Sequence, residues 1–286
     1  MRASKGMQIK IYMGKHWRIF LNEHGWKTFI SAAIIAGIVA LVASDGMFEV
    51  NTSTSNGSFA LVCACIWIGI FNSIQSVCKE RDIIKREHRS GLHMSSYITS
   101  HILFDTILCA VEALIVAIIL FVIKSDALPS EGAMLPAVAE LYFTFFLIIV
   151  CSDALGLMIS SIVKTPNTAM TVMPFVLIVQ FIMSGKIFPL EDGFSSAIAS
   201  LTIGKWGLNG LCITSDVNHL PHSEELAPYA ANPQMEDLLE GIFKADSAYE
   251  CAPGNLLGVW ALLIGFTLLY CAIATFSLRF IDKDRR

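Results

Sequence analysis

The stretch "CKERDIIKREHRSGLHMSSY", residues 78–97, decides how the rest of the chain is read. Acidic Glu80, Asp82 and Glu87 alternate with basic Lys79, Arg81, Lys85, Arg86 and Arg89 before Gly91 breaks the run and small and hydroxyl side chains take over. Strongly apolar segments flank it at 59–77 and 102–123, each close to the roughly 20 residues that a helix needs to cross a bilayer. The cassette is therefore a short charged connection between two membrane-crossing helices. Basic residues alone would be enough to fix sidedness. The interleaved carboxylates ask for a further role, and a mixed-charge helix on the membrane surface suits docking to a soluble partner by hydrogen-bonded ion pairs.

Working outward, further apolar segments at 25–43, 137–163, 168–190 and 255–278 bring the expected count to six spans. Of the 286 residues 55% are hydrophobic and 15% charged, against about a quarter charged in soluble domains. That balance excludes an ordinary soluble enzyme, and the absence of a strongly basic patch or tail excludes nucleic acid as a partner. The expected fold is an all-α polytopic membrane protein. Residues 1–24 form a cytoplasmic leader and amphipathic connecting helix, and 25–286 a six-helix membrane domain that includes an external region at 191–254. No cleavable signal peptide is expected, because the first apolar segment begins late and lacks a small-residue cleavage pattern.

All but Lys124, Lys186, Lys205 and Lys244 of the 20 Lys and Arg residues fall on one side of these spans, which the positive-inside tendency makes cytoplasmic. Both termini then lie inside. Ahead of the first span, Ile9, Met13, Trp17 and Phe20 recur three or four apart and predict an amphipathic helix along the cytoplasmic surface. An ordinary surface anchor fits the same periodicity. On the outer side, 193–214 is moderately apolar and suits the outer interface, and a short helix is predicted around 234–243. Cys212 and Cys251 share that oxidising side, which permits a disulfide between them.

Polar groups inside the spans mark candidate sites. Gly69, Asn72, Gln75 and Ser76 form a stripe at the cytoplasmic end of the second span, suited to helix packing or to a cavity wall. His101, Asp105 and Glu112 share a face of the third span; Asp153 lies well inside the fourth and Glu140 near its outer end. With no Lys or Arg in the centre of any span, Glu112 and Asp153 call for a proton, a hydrogen bond or a protein-lined setting. A proton relay and a structural carboxyl both satisfy that. Pro174 predicts a kink in the fifth span, which also holds Gln180. No catalytic constellation emerges: there is no G-x-x-x-x-G-K-[ST] phosphate loop and no H-E-x-x-H, and the eight Cys are spaced unlike metal ligands. Asn51 and Asn56 begin glycosylation-type tripeptides on the outer side.

"ERDIIKREHRSGLHMSSYITSHIL", from Glu80 on, resembles the loop between transmembrane helices two and three in type II (ABC-2) permeases of ATP-binding-cassette exporters, in their G-subfamily-like form. Glu80, Arg81, Arg86, Glu87, Gly91, Ser96 and Tyr97 carry the likeness, and the layout of connecting helix, six spans and external region extends it over nearly the whole chain. The chain departs from that pattern at Ile203-Gly204-Lys205, where a Ser-Pro-type turn is usual. The resemblance implies an exporter permease with no enzymatic activity and no cofactor of its own, coupled to a separate ATPase subunit that binds ATP and Mg. Glu80, Arg81, Arg86, Glu87, Gly91 and Tyr97 would couple to that ATPase. A second permease copy or a related permease would complete the pathway, with Asn72, Ser76, Phe175 and Gln180 along it and lipid around it. Two other readings fit the residues: a proton-coupled secondary transporter using Glu112 and Asp153, and a non-transporting scaffold or immunity-type protein.

Overall fold

Apolar stretches placed in lipid have to satisfy every backbone N–H and C=O internally, and a helix does so within a single segment. A computed structural model describes residues 4–43, 46–125, 127–129, 131–188, 193–222 and 246–281, and among these every regular element is helical. In chain order the α-helices are α1 (Lys5–Asn22), α2 (Lys27–Val42), α3 (Asn51–Ser73), α4 (Ser76–Arg89), α5 (Met94–Ile123), α6 (Ala137–Ile162), α7 (Pro166–Ile182), α8 (Gly193–Ala199), α9 (Ile203–Thr214) and α10 (Pro253–Leu278), with short 3-10 turns at Val217–His219 and Ser247–Tyr249. The helix expected around 234–243 lies outside the described residues.

Among the described residues helix lengths support four or five spans where the apolar segments suggest six. The segments α3 (continuing into α4), α5, α6 and α10 are long and apolar enough to cross, and α1 with α2 counts as a fifth only if the pair, bent by 71°, is one broken span. Their break falls at His24, whose φ of 55° ends α1, with the Gly25 amide turned back onto the Phe20 carbonyl. At 17 residues α7 rises only about 26 Å, short of a hydrocarbon core of about 30 Å. It stops at Ile182 because the chain turns through Ser184 and Gly185 (φ 85°) instead of running on to 190. Ile30, Ile34 and Ile38 of α2, Leu114, Ile118 and Phe121 of α5, and Leu268 and Leu269 of α10 point outward, as lipid-facing side chains should.

The bundle is organised by the close approach of α3 and α6. A Cβ on Gly69 would collide with the Ile149 carbonyl oxygen and sit 2.8 Å from Ser152 Cβ; one on Gly156 would lie 2.9 Å from the Ile70 carbonyl. Glycine at both points lets the two backbones meet. Ser73 Oγ then donates to the Asp153 carbonyl at 2.5 Å, and Ser160 Oγ accepts the Val77 and Cys78 amides at 3.1 Å each. Those amides belong to the first turn of α4, which has no side-chain cap of its own, so α6 supplies one. Arg81 Nη1 in turn donates to the Ser161 and Val163 carbonyls, 3.0 Å each, at the C-terminal end of α6.

On the other side of the bundle α9 packs among α3, α6 and α10 with Leu208, Leu211, Cys212 and Ile213 buried, so this apolar stretch goes into the bundle. Gly204, Gly207 and Gly210 face the Gln180 carbonyl, Ile148 with Val62, and Thr144 with Val259, all close enough that a side chain would intrude. Cys212 is buried beside Leu208 and Val217 as a free thiol, and Cys251 is a half-buried free thiol. The permitted bridge between them is therefore not formed in this structure: the helix that carries Cys212 turns it into an apolar cluster.

Substituting Gly69→Ala should destabilise the bundle by about 1–3 kcal/mol, the usual cost of overpacking against rigid neighbours. Gly37→Ala on α2, where a Cβ meets nothing within 4 Å, is the matched control and should not destabilise it. Unfolding midpoints of the two variants in nanodiscs check this; equal midpoints would refute the α3–α6 seam as the organising contact.

Candidate functional site

The charged cassette forms α4 followed by a tight reversal. Arg86, His88 and Arg89 crowd its last turn, where positive charge complements the helix dipole. Gly91, at φ 107°, then closes the helix in a left-handed residue: its amide reaches the His88 carbonyl and the Leu92 amide the Glu87 carbonyl, both at 3.0 Å. The bend that returns the chain to α5 thus needs glycine at that position.

Two faces of α4 do different work. Inward lie Val77 and Ile84, buried among Tyr12, Tyr97, Leu157 and Leu278, and Cys78, buried in the main core of the bundle. Outward lie Lys79, Asp82, Ile83, Arg86 and Arg89, all exposed. Of the coupling residues expected from the sequence, Arg86 is on the outer face, whereas Glu80, Arg81 and Glu87 turn into the protein. Glu80 Oε2 takes Lys15 Nζ at 2.9 Å and the Tyr97 hydroxyl at 3.3 Å, Glu87 accepts from the Tyr12 hydroxyl, and Arg81 holds the end of α6.

The partner of that inner face is α1, and it presents an unexpected side. Gln8, Tyr12 and His16, one stripe of α1, are its buried residues, while Met7, Ile11 and Leu21 are exposed, Trp17 is partly so, and Ile9, Met13 and Phe20 are half-buried. The amide of Gln8 clamps both sides of the Gly91 turn, donating to the Gly91 carbonyl at 3.2 Å and accepting the His93 amide at 3.0 Å. The His16 ring lies 4.0 Å from that of His101 and stacks on Phe104 at 5.7 Å. Sequence reasoning missed Gln8, Tyr12, Lys15 and His16 here, as well as the outward Lys79, Asp82, Ile83 and Arg89. The i, i+4, i+8 spacing of Gln8, Tyr12 and His16 was a readable signal, but a polar stripe is expected to face water.

From this junction a polar line enters the bundle. The Tyr97 hydroxyl lies 3.2 Å from His101 Nε2, and His101 Nδ1 lies 3.4 Å from Asp105 Oδ2. Deeper in, Asn72 Nδ2 donates to Glu112 Oε2 at 2.7 Å, and Asp153 is fully buried. Among the described residues no three His, Cys, Asp or Glu side chains gather in a way that could hold a metal ion.

The residues expected along a substrate path are held in different ways. Asn72 is half-buried and engaged with Glu112; Ser76 Oγ donates to the Ser73 carbonyl at 2.6 Å. Phe175 is 67% exposed on α7, which buries only the stripe Ala169, Met173, Leu177 and Gln180. Gln180 is committed inside the chain, its Oε1 accepting the Ile203 and Gly204 amides at 2.8 and 3.2 Å and so capping α9.

Electrostatics at the α1 junction follow from burial. The Tyr12 phenol is held well above its usual value by burial and by the Glu87 carboxylate. Burial, then the neighbouring His101 and Lys15, pushes the His16 imidazole down to about 3 from 6.5. A histidine lowered by folding stabilises while neutral: its contribution is whole above pH 6.5 and is lost as pH falls toward 3. Acidification across that window should loosen α1 from α5, read as lower protection of the amides of 5–22 relative to their intrinsic exchange rates at each pH, and His16→Phe should blunt the acid dependence. An unchanged pH profile in that variant would show that another group controls the contact.

Comparison with known proteins places this geometry. The profile of the ABC-2 type transporter family matches residues 7–214, from α1 to the end of α9. An ABC transporter ATP-binding/permease protein of Mycobacterium tuberculosis is 26% identical over 220 residues, 73% of this chain. The chain spans about a quarter of that protein's length. With a charged helix and reversal beneath a bundle of apolar helices, and a family profile that matches most of its length, this multi-pass membrane chain belongs to the ABC-2 type transporter family.

Proposed function

We propose that this chain is the permease subunit of an ATP-driven exporter of G-subfamily-like arrangement, docked through α4 on a separate ATPase subunit that supplies ATP and Mg. The carrying observation is the division of α4 into an exposed mixed-charge face and an inner face latched to α1, α5 and α6. An exposed face of Lys79, Asp82, Ile83, Arg86 and Arg89 offers charges of both signs around one apolar side chain, which favours a protein partner over a lipid surface. The mycobacterial relative, an ATP-binding/permease protein by name, supports the same pairing.

In this reading the chain sits in the cell membrane with both termini cytoplasmic, binds no cofactor itself, and pairs with a second copy or a related permease. The substrate passes between the two, along the exposed face of α7 around Phe175 and past Asn72 and Ser76, while Gln180 holds α9 as part of the wall. Movement of the ATPase pushes α4; Glu80, Glu87 and Arg81 pass that displacement to α1, α5 and α6.

Affinity purification of the full chain from its native membranes, followed by ATP hydrolysis measurements in nanodiscs, tests this. Changing Lys79→Glu, Ile83→Asp and Arg86→Glu together should cost at least about 2 kcal/mol of docking, about thirty-fold in affinity, and strip the ATPase from the preparation. Glu80→Ala with Glu87→Ala should leave the ATPase bound and lower its coupling to the permease. Retention of a fully coupled ATPase by the triple variant would refute α4 as the docking helix.

A further inference from the structure

Among the described residues three fully buried carboxyl groups are compensated very unequally. Glu140, at the outer end of α6, accepts the Ala133, Met134 and Leu135 amides at 3.0, 2.7 and 2.8 Å, three donors converging on one carboxyl group. Glu112 on α5 has one donor, Asn72, at Oε2, and its Oε1 has no hydrogen-bond partner among the described residues. Beside Asp153 on α6 stands the Ser73 hydroxyl, which is spent on the Asp153 backbone carbonyl and leaves the carboxyl oxygens uncompensated, and the adjacent Ser152 hydroxyl has no partner among the same residues.

No positive charge compensates them from the surrounding helices. Helices α3, α5, α6 and α10 contain no Lys or Arg. The titratable side chains that interact electrostatically with Glu112 and Asp153 are each other, Asp105 and Cys109 on α5, Cys65 on α3 and Cys271 on α10. Each of these is neutral or negative. Two uncompensated carboxylates in such a place would each cost several kcal/mol of desolvation, and their mutual repulsion would add to it. A proton on each removes both costs and needs no counter-ion.

A line of polar side chains runs from the surface toward this cluster and ends at Asp105. Asp105, on the same helix as Glu112 and about 10 Å of rise before it, lies 3.4 Å from His101 Nδ1; His101 Nε2 lies 3.2 Å from the Tyr97 hydroxyl, which lies 3.3 Å from Glu80 Oε2. The Glu80 side chain is 19% exposed on α4. The His16 ring lies 4.0 Å from that of His101 and itself stacks on Phe104.

We propose that Glu112 and Asp153 form a proton-binding site in the core of the bundle, loaded from the α4 surface through Glu80, Tyr97, His101 and Asp105. In each passage His101 takes a proton at one ring nitrogen and releases one from the other, and Tyr97 regains from the Glu80 side the proton it gave. The net event is one proton moved from water to a carboxylate, with only O–H and N–H bonds exchanged and no electrons transferred. Because the backbone carbonyl of Asp153 also receives Ser73 Oγ, the load on its side chain bears directly on the α3–α6 seam. The site does not depend on the docking role of α4.

Infrared spectroscopy of the full chain in nanodiscs tests it. At neutral pH the wild type should show carbonyl-stretch bands of neutral, buried carboxyl groups that shift on transfer to D2O. Glu112→Gln and Asp153→Asn should each remove one component, and His101→Phe should keep both bands but slow their exchange at least ten-fold. Absence of neutral-carboxyl bands at neutral pH, or bands untouched by both substitutions, would overturn the site. Exchange at the wild-type rate in His101→Phe would overturn the route. Should a carboxyl variant fail to fold, the presence or absence of the wild-type bands and their shift in D2O still decides whether the site exists.

Discussion

The backbone contact between α3 and α6 at Gly69 and Gly156 is the constraint that the other parts inherit. Inside a bilayer an apolar side chain gains nothing by leaving lipid for protein, so helices associate through close van der Waals contact and hydrogen bonds. Glycine at the crossing supplies the first, and Ser73 with the Asp153 carbonyl supplies the second. Once the two helices are that close, Ser160 arrives beneath the unsatisfied amides of α4, and Asp153 is carried toward the face of α5 that bears Glu112. The charged cassette and the buried carboxyl groups are thus placed by one contact.

A related logic explains the inverted α1. Its apolar side chains Met7, Ile11 and Leu21 lose little by meeting the membrane interface, whereas Gln8, Tyr12 and His16 make directional bonds and ring contacts that only one pose satisfies. Polar contacts set the pose, and apolar ones are left for the surroundings. The result is a rigid corner in which α1 grips both α4 and the Gly91 turn. A push on the outer face of α4 therefore has defined outlets into the bundle.

Much of this was legible in the amino-acid order. Apolar length and the near-absence of charge fix an all-helical membrane protein, and Gly91 after a run ending in Arg89 fixes the reversal. The mixed-charge cassette and its family likeness lead to the same family that the profile match shows. Helix ends were less legible: the break at His24 and the turn at Gly185 shorten α2 and α7 through local backbone geometry that hydropathy does not register.

What the sequence by itself determined is which segments are helical and which residues are available for chemistry, because hydropathy and backbone satisfaction act within a single segment. The partner of each polar side chain was decided by the tertiary structure. Glu80 and Glu87 look alike in the sequence to Asp82, yet the first two are spent on Lys15, Tyr97 and Tyr12 while Asp82 faces outward. Gln180 reads as a pathway residue and proves to cap α9 from 23 residues away. Hydrogen bonds and ion pairs act over a few ångströms between groups far apart in the chain, so their pairing exists only once the helices have packed.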